Sequence, residues 1–594
     1  MATLLPQRPV VSVRWGPYRY GNIFLKETTV RRGKHRYVYV QVVEGYRDER
    51  GRVRQRVVAN LGRREKLKAS GELDRLAAAF TRLDPPPEGT RVRCGTLALV
   101  AVYLERLGLA AAVDAALPAR GRAQLTHGEV ICALVANRLC DPRPLYDVRG
   151  WADQQGAHPL LGCPAALLND DRLGRALDAL AQVIDQVKGA LCLRALERFG
   201  CEPKRMHWDF TSVSVYGSHQ SSALIRYGHS SDKKAHLRQA KLGQAVSEEG
   251  VALYHRAENG ARNETAVVCQ ALEDLKAALG RSDFLLCGDT ALISEGNLRA
   301  LIADQISFLA PLPVTWGYQE RYLAELSPER LEPIDYVSER QRRMPAERRT
   351  RYRGVELPWP LELDDGSKVE LRALFVHSSE EQAAIRKSRA RSLERAEQEL
   401  ARVIGGLGGR HYPDVKAVER KLAQILQGTP GRFIATEIGE RDSKPTLSFE
   451  RNQDAITAAE RLDGIYCLIT NLPADEADHA TLLAHFKEQE RVERGHRTLK
   501  GPLRVRPLFV QNDDRIVALL AVSCFALMIY TLIERDARRH YPDGLSALGE
   551  RRTGPATARA VFHQLEDTEL LHTADGVSVQ PPEHARELYQ RLTT

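Results

Sequence analysis

The sequence predicts an α/β protein. Its core of alternating strands and helices is interrupted by a largely β insertion with a helical hairpin, and preceded by a small β-hairpin domain and a helical domain. Three observations carry this. Near residue 201 the texture changes from long helical periods to short apolar runs alternating with helices. That alternation breaks off near residue 314 and resumes near residue 463. Basic charge is concentrated at one end, and 594 residues are too many for one ordinary core.

In order along the chain, YVYVQVVEGY, the polar turn DERGR and VRQRVVANLG, between Arg36 and Gly62, read as a β-hairpin. Arg52, Arg54 and Arg56 alternate with Val53 and Gln55, which puts three cations on one strand face. Helical periods then run from Glu72 to about Gly200, broken at Asp84-Pro85, Asp141-Pro142 and Cys163-Pro164. MHWDFTSVSVYG is a strand, AKLGQAVSEEGVALYHRA a hairpin, FLLCGD a buried strand and SFLAPL another, with helices around Thr265–Leu279 and from about Ser294. Polar strands, a charged helix pair from Ser379 to Leu426 and further strands fill the interruption. IYCLITN resumes the core, followed by one long helix ending at Lys500 before Gly501-Pro502. The expected domains are 1–70 (basic β-hairpin), 71–200 (helical, DNA-binding), 201–313 and 463–540 (core), 314–462 (insertion standing outside the core) and 541–594 (helical).

Residues 1–68 carry 17 Lys and Arg against 5 Asp and Glu, so the remaining chain is slightly acidic although the whole is +9. Such an end is suited to holding phosphates. The ten cysteines contain no Cys-x-x-Cys pair, which argues against a zinc ribbon or disulfide framework and suits a reducing cytoplasm. Ile516–Ile533 is nearly all apolar, but lies between Asp513, Asp514 and Glu534, Arg535, and reads as a buried core helix, not a membrane span.

Three acidic residues stand where a metal nuclease would need them. Asp209 lies mid-strand among apolar and hydroxyl residues, where a charge is costly unless paired or metal-bound. Asp289 ends a buried strand; the alternative there is an N-cap. Glu493 lies on the helix before Gly501, with Lys500 two turns further along and Arg491, Arg494 and Arg497 forming a basic ridge beside it. Carboxylates for metal next to cations for phosphate are what phosphodiester chemistry requires, although a salt-bridged surface helix has the same pattern.

HFKEQERVERGHRTLKGPLRVRP resembles the Y-x2-R-x3-E-x6-K signature of DDE transposases of bacterial insertion sequences. The four positions are Phe486, Gln489, Glu493 and Lys500; the last two match, and Phe for Tyr and Gln for Arg are departures. Asp209-Phe210-Thr211 matches the family's Asp-x-Thr strand, and Gly288-Asp289 with Ser294 and Gly296-Asn297-Leu298 resembles its second-aspartate motif. YGHSSDKKAHLRQAKLG and VVANLG are also similar, in the same order along the chain. The resemblance implies an RNase H-like catalytic core and two Mg²⁺ (or Mn²⁺) ions, with Asp209 bridging both and Asp289 and Glu493 each holding one. It further implies cleavage and strand transfer at the terminal inverted repeats of an insertion sequence and into target DNA, by a homodimer formed on DNA in the bacterial cytoplasm, at the nucleoid. It assigns the Tyr and Arg positions to transposon-end DNA. Lys500, with Arg497, Arg494 and Arg491, and Arg52, Arg54 and Arg56 are the expected DNA contacts. Two rivals are an RNase H-like endonuclease that cuts without joining and an inactivated or domesticated DNA-binding copy. The extra DNA-binding area before the core disfavours the first, and the intact carboxylates disfavour the second.

Overall fold

The computed structural model describes residues 23–32, 35–47, 53–69, 89–117, 124–505 (except 218, 235 and 343), 510–546, 553–573 and 576–594. The chain divides into two compact units. One comprises residues 1–202, 211–261 and 494–594; the other comprises 203–210 and 262–493.

In the first unit, β1 (Ile23–Arg32), β2 (His35–Arg47) and β3 (Val53–Arg63) form an antiparallel sheet. The hairpin expected from the sequence is β2–β3; β1 is an addition, hidden because the consecutive polar residues Glu27, Thr28 and Thr29 blur its alternation. Helices occupy much of 97–199. The short β4 (Arg91–Arg93) pairs with Glu569–Thr573, which also pairs with Gly576–Gln580. The 541–594 region, expected to be helical, therefore carries strands as well as the helices Ala558–Leu565 and Arg586–Thr593. β5 (Arg205–Val215) passes from one unit into the other; in the first it neighbours β6 (Arg238–Ser247), which pairs antiparallel with β7 (Ala252–Asn259).

The helix Asp513–His540 runs through the interior of this unit, with 89% of its apolar window buried inside the protein. Asn512 accepts a hydrogen bond from the Arg515 N–H at its N-terminus, Asp513 and Asp514 occupy the first turn, and Arg538, Arg539 and His540 the last. Charges thus complement the helix dipole at both ends, and apolar residues on every face make it a core helix.

The second unit is built on a sheet whose order is β10-β11-β12-β15-β9-β8-β5. Its members are β8 (Leu285–Cys287), β9 (Ser307–Pro311), β10 (Glu332–Ile334), β11 (Tyr352–Glu362), β12 (Lys368–Ser378) and β15 (Ile465–Thr470), with 205–210 of β5. β5, β8 and β9 are parallel, and the remaining neighbours antiparallel. This corrects the expectation that 314–462 stands apart. β10–β12 lie inside it yet extend the sheet, because Leu371, Ala373, Leu374, Phe375 and Val376 make β12 apolar on both faces. Ile334, Tyr352, Leu374 and Val376 share one core with Leu285, Leu309, Leu468, Leu482 and Leu483.

Only the stretch from Ser379 to about Asp463 has a core of its own. The helices Ser379–Gly405 and Val415–Ile425 pack Leu393, Leu400, Val418 and Leu422 against the hairpin of β13 (Ile434–Arg441) and β14 (Lys444–Arg451). A buried pair, Arg389 to Asp463 with Nη1 to Oδ1 at 3.0 Å, joins the long helix to the chain just before β15.

Candidate active site

β5 (RMHWDFTSVSV) is almost entirely buried, with Asp209 among its few partly exposed residues. The parallel ladder with β8 pairs Arg205 with Leu285, Met206 with Leu286 and His207 with Cys287, always 80 positions apart. Asp209 and Asp289 differ by the same 80 positions. Extending the register by two residues therefore sets Asp209, within β5, level with Asp289, just beyond the end of β8. Asp209 Oδ1 accepts from the Phe210 N–H (2.7 Å). Asp289, in extended backbone, caps the turn Thr290–Leu292 by accepting from the Ala291 N–H at 3.0 Å. The N-cap alternative is thus realised at Asp289 alongside its place beside Asp209.

Burial first, then the charge of Asp289, raise the Asp209 carboxyl well above its ordinary value; Glu264 and Glu493 add to this, and the Phe210 N–H opposes it. Burial also raises Asp289, with Glu264 adding and the Ala291 N–H opposing. Glu493 is exposed in the first turn of the helix Glu490–Lys500. The structure thus brings Asp209, Asp289 and Glu493 into one electrostatic neighbourhood. It adds Glu264, which sequence reasoning missed because an acid at the start of a helical turn looks like a cap. Among the described residues no three His, Cys, Asp or Glu side chains are already gathered at metal-ligating spacing. The donor chemistry fits a hard divalent cation: the donors are oxygens, and their mutual repulsion raises the cost of ionisation until a cation offsets it.

The single helix expected to end at Lys500 is two helices, His479–Lys487 and Glu490–Lys500, with a turn at Glu488 and Gln489. Tertiary hydrogen bonds account for the break, since both turn side chains reach β5. Arg205 Nη2 meets Glu488 Oε2 at 2.6 Å, and Gln489 Nε2 donates to the Trp208 carbonyl at 2.9 Å. Burial works against the Glu488 carboxylate, but His207, Arg491 and Arg205 hold it below its ordinary value. Phe486 packs on Tyr466 with ring centroids 5.8 Å apart, within the apolar core.

Cations of the ridge lie against carboxylates. Arg491 donates to Glu488 (3.0 Å), Arg494 lies 3.9 Å from Glu534, and Lys500 is 2.8 Å from Asp232. Arg497 is exposed. Arg56 is exposed on β3 and Arg54 lies on the same strand, while Arg52 falls outside the described residues.

Three family models match the chain. The IS1634 family transposase N-terminal domain matches residues 25–87, a domain of unknown function (DUF4277) 91–186, and the transposase DDE domain 206–529. No curated protein was found to match. The DDE match covers more than half of the 594 residues and contains Asp209, Asp289 and Glu493. Transposases of this kind bind DNA and generally use divalent metal ions. The chain therefore belongs to the DDE transposases of insertion sequences.

Proposed function

We propose that this transposase binds the terminal inverted repeats of an insertion sequence and catalyses strand cleavage there and strand transfer into target DNA. Asp209, Asp289 and Glu493 are the residues that hold the metal. One observation carries the reading: two half-buried aspartates lie just past the last pair of the parallel β5–β8 ladder, and the charges of Asp289 and Glu493 act on Asp209. Two Mg²⁺ or Mn²⁺ ions, when bound, supply activation of the attacking oxygen and stabilisation of the leaving oxygen. Because the Asp209 and Asp289 carboxyls hold a proton more tightly than free carboxyls do, binding of those cations would be favoured as pH rises. Lys500 and the arginines of its helix face the backbone phosphates, Lys500 exchanging Asp232 for a phosphate.

An RNase H-like core is supported by β5, which lies parallel to β8 in one unit and neighbours the antiparallel pair β6–β7 in the other. The active form is a homodimer assembled on DNA in the cytoplasm. Cleavage and strand-transfer assays on oligonucleotides bearing the element ends test this. Asp289→Asn and Glu493→Gln should each abolish cutting in Mg²⁺ while end binding persists. Near-wild-type cutting by either removes that residue from the site, and cutting without joining by the wild type makes the protein an endonuclease.

A further inference from the structure

Gln489 stands where the family signature carries an Arg assigned to transposon-end DNA, yet its amide is directed inward. Its Nε2 donates to the carbonyl of Trp208, the residue immediately before Asp209, at 2.9 Å. A backbone carbonyl only accepts, so this bond fixes the amide orientation and turns Oε1 toward His207 Nδ1, 3.2 Å away. His207 is fully buried, and because an amide oxygen only accepts, its Nδ1 is the donor in this contact. The main chain of Gln489 meanwhile receives the N–H of Glu493 at 3.5 Å, one turn along. One residue therefore touches the strand that carries Asp209 and the helical turn that carries Glu493. Beside it, Glu488 is held by Arg205 of the same strand (2.6 Å), and Arg205 also meets His485 at 2.7 Å.

We infer that Gln489 is a positioning residue. It sets the approach of Glu493 to Asp209 through the Trp208 carbonyl and His207, in place of the DNA contact made at this position in relatives. This rests on the reading of Asp209, Asp289 and Glu493 as the catalytic carboxylates. Glu493 stands exposed in the first turn of its helix, so the turn before that helix decides where its carboxylate stands. A misplacement of about 1 Å in such a group costs on the order of 100-fold in rate.

The test is single-turnover cleavage of a labelled end duplex at saturating DNA, run as a Mg²⁺ titration, with end affinity measured separately in the absence of metal. Gln489→Ala should lower the maximal rate roughly 10- to 100-fold and raise the Mg²⁺ midpoint several-fold, with end affinity within about twofold of wild type. Gln489→Glu, of nearly the same shape, is the second variant should the alanine protein fail to fold. Its carboxylate accepts from His207 but has no proton for the Trp208 carbonyl until it is protonated. Its maximal rate should therefore fall and its Mg²⁺ midpoint rise as in Gln489→Ala, with end affinity again close to that of wild type. A wild-type rate and Mg²⁺ midpoint in Gln489→Ala overturn the inference. So does a loss confined to end affinity, which would return Gln489 to DNA contact. Asp209→Ala, run in parallel, separates the two levels: cleavage by that variant would defeat the carboxylate reading itself.

Discussion

Replacing Asp209 with Asn should make the metal-free protein more stable while destroying its response to metal. The Asp209 carboxylate is held among Asp289, Glu264 and Glu493, with the Phe210 N–H as the opposing hydrogen bond. Keeping an ionised carboxylate in such surroundings costs several kcal/mol. Asparagine removes the charge and keeps an oxygen for Phe210, but leaves an amide N–H₂ without an assured acceptor, a loss of about 1–3 kcal/mol. The balance is a gain of roughly 1–2 kcal/mol at neutral pH. For the unit of about 240 residues that contains Asp209, each kcal/mol moves the midpoint by ~2–4 °C, so the expected rise is roughly 2–8 °C.

The pH dependence has a definite sign. Because the folded-state value of Asp209 is raised, the folded protein takes up its proton at a higher pH than the unfolded chain does. Wild-type stability without metal should therefore improve as pH falls through that raised value toward the ordinary carboxylate value, and this limb should be absent in Asp209→Asn. With Mg²⁺ at about 100 times its dissociation constant the wild type should gain about 2.7 kcal/mol, and the variant little or nothing. Differential scanning calorimetry with EDTA, then with Mg²⁺, reads all three quantities. Glu264→Gln should shift metal-free stability in the same direction by a smaller amount, since Glu264 stands behind Asp289 among the causes acting on Asp209. A metal-free midpoint lowered in Asp209→Asn, or an undiminished Mg²⁺ response, would refute the reasoning.

Lys500→Ala should weaken end binding about 3- to 10-fold, less than a free phosphate contact would give, because Lys500 must leave Asp232 to reach DNA. Asp232→Asn should conversely tighten binding at low salt, and an unchanged affinity in both variants would show that the pair is only structural. Replacing Arg52, Arg54 and Arg56 together with Ser should flatten the log–log salt dependence of end binding by roughly 0.9 per lost phosphate contact; an unchanged slope would assign these charges to a solvated surface.

Local chemistry determined much of this protein at the level of sequence. Period-two runs marked β2 and β3, and Gly501-Pro502 marked the end of the helix at Lys500. The order and spacing of Asp209, Asp289, Glu493 and Lys500 identified the family before any fold was known. Apolar flanks explain why Asp209 and Asp289 stood out, since a carboxylate in a buried strand is conspicuous against its neighbours.

Tertiary structure decided what depends on partners distant in sequence. The 80-residue offset between the aspartates acquires meaning only once β5 and β8 pair in parallel with that register. β10–β12 join the core sheet because β12 finds β15 as a neighbour about 90 residues later, which no local pattern specifies. Helical propensity runs unbroken through Glu488 and Gln489, and the helix stops there because Arg205, His207 and the Trp208 carbonyl compete for their side chains. The same logic turned the basic ridge from a row of cations into ion pairs with Glu488, Glu534 and Asp232, and drew Glu264 beside the aspartates. Charges report their type in sequence, but their partners, and hence their protonation and availability to DNA, are set by distances that only the folded chain fixes.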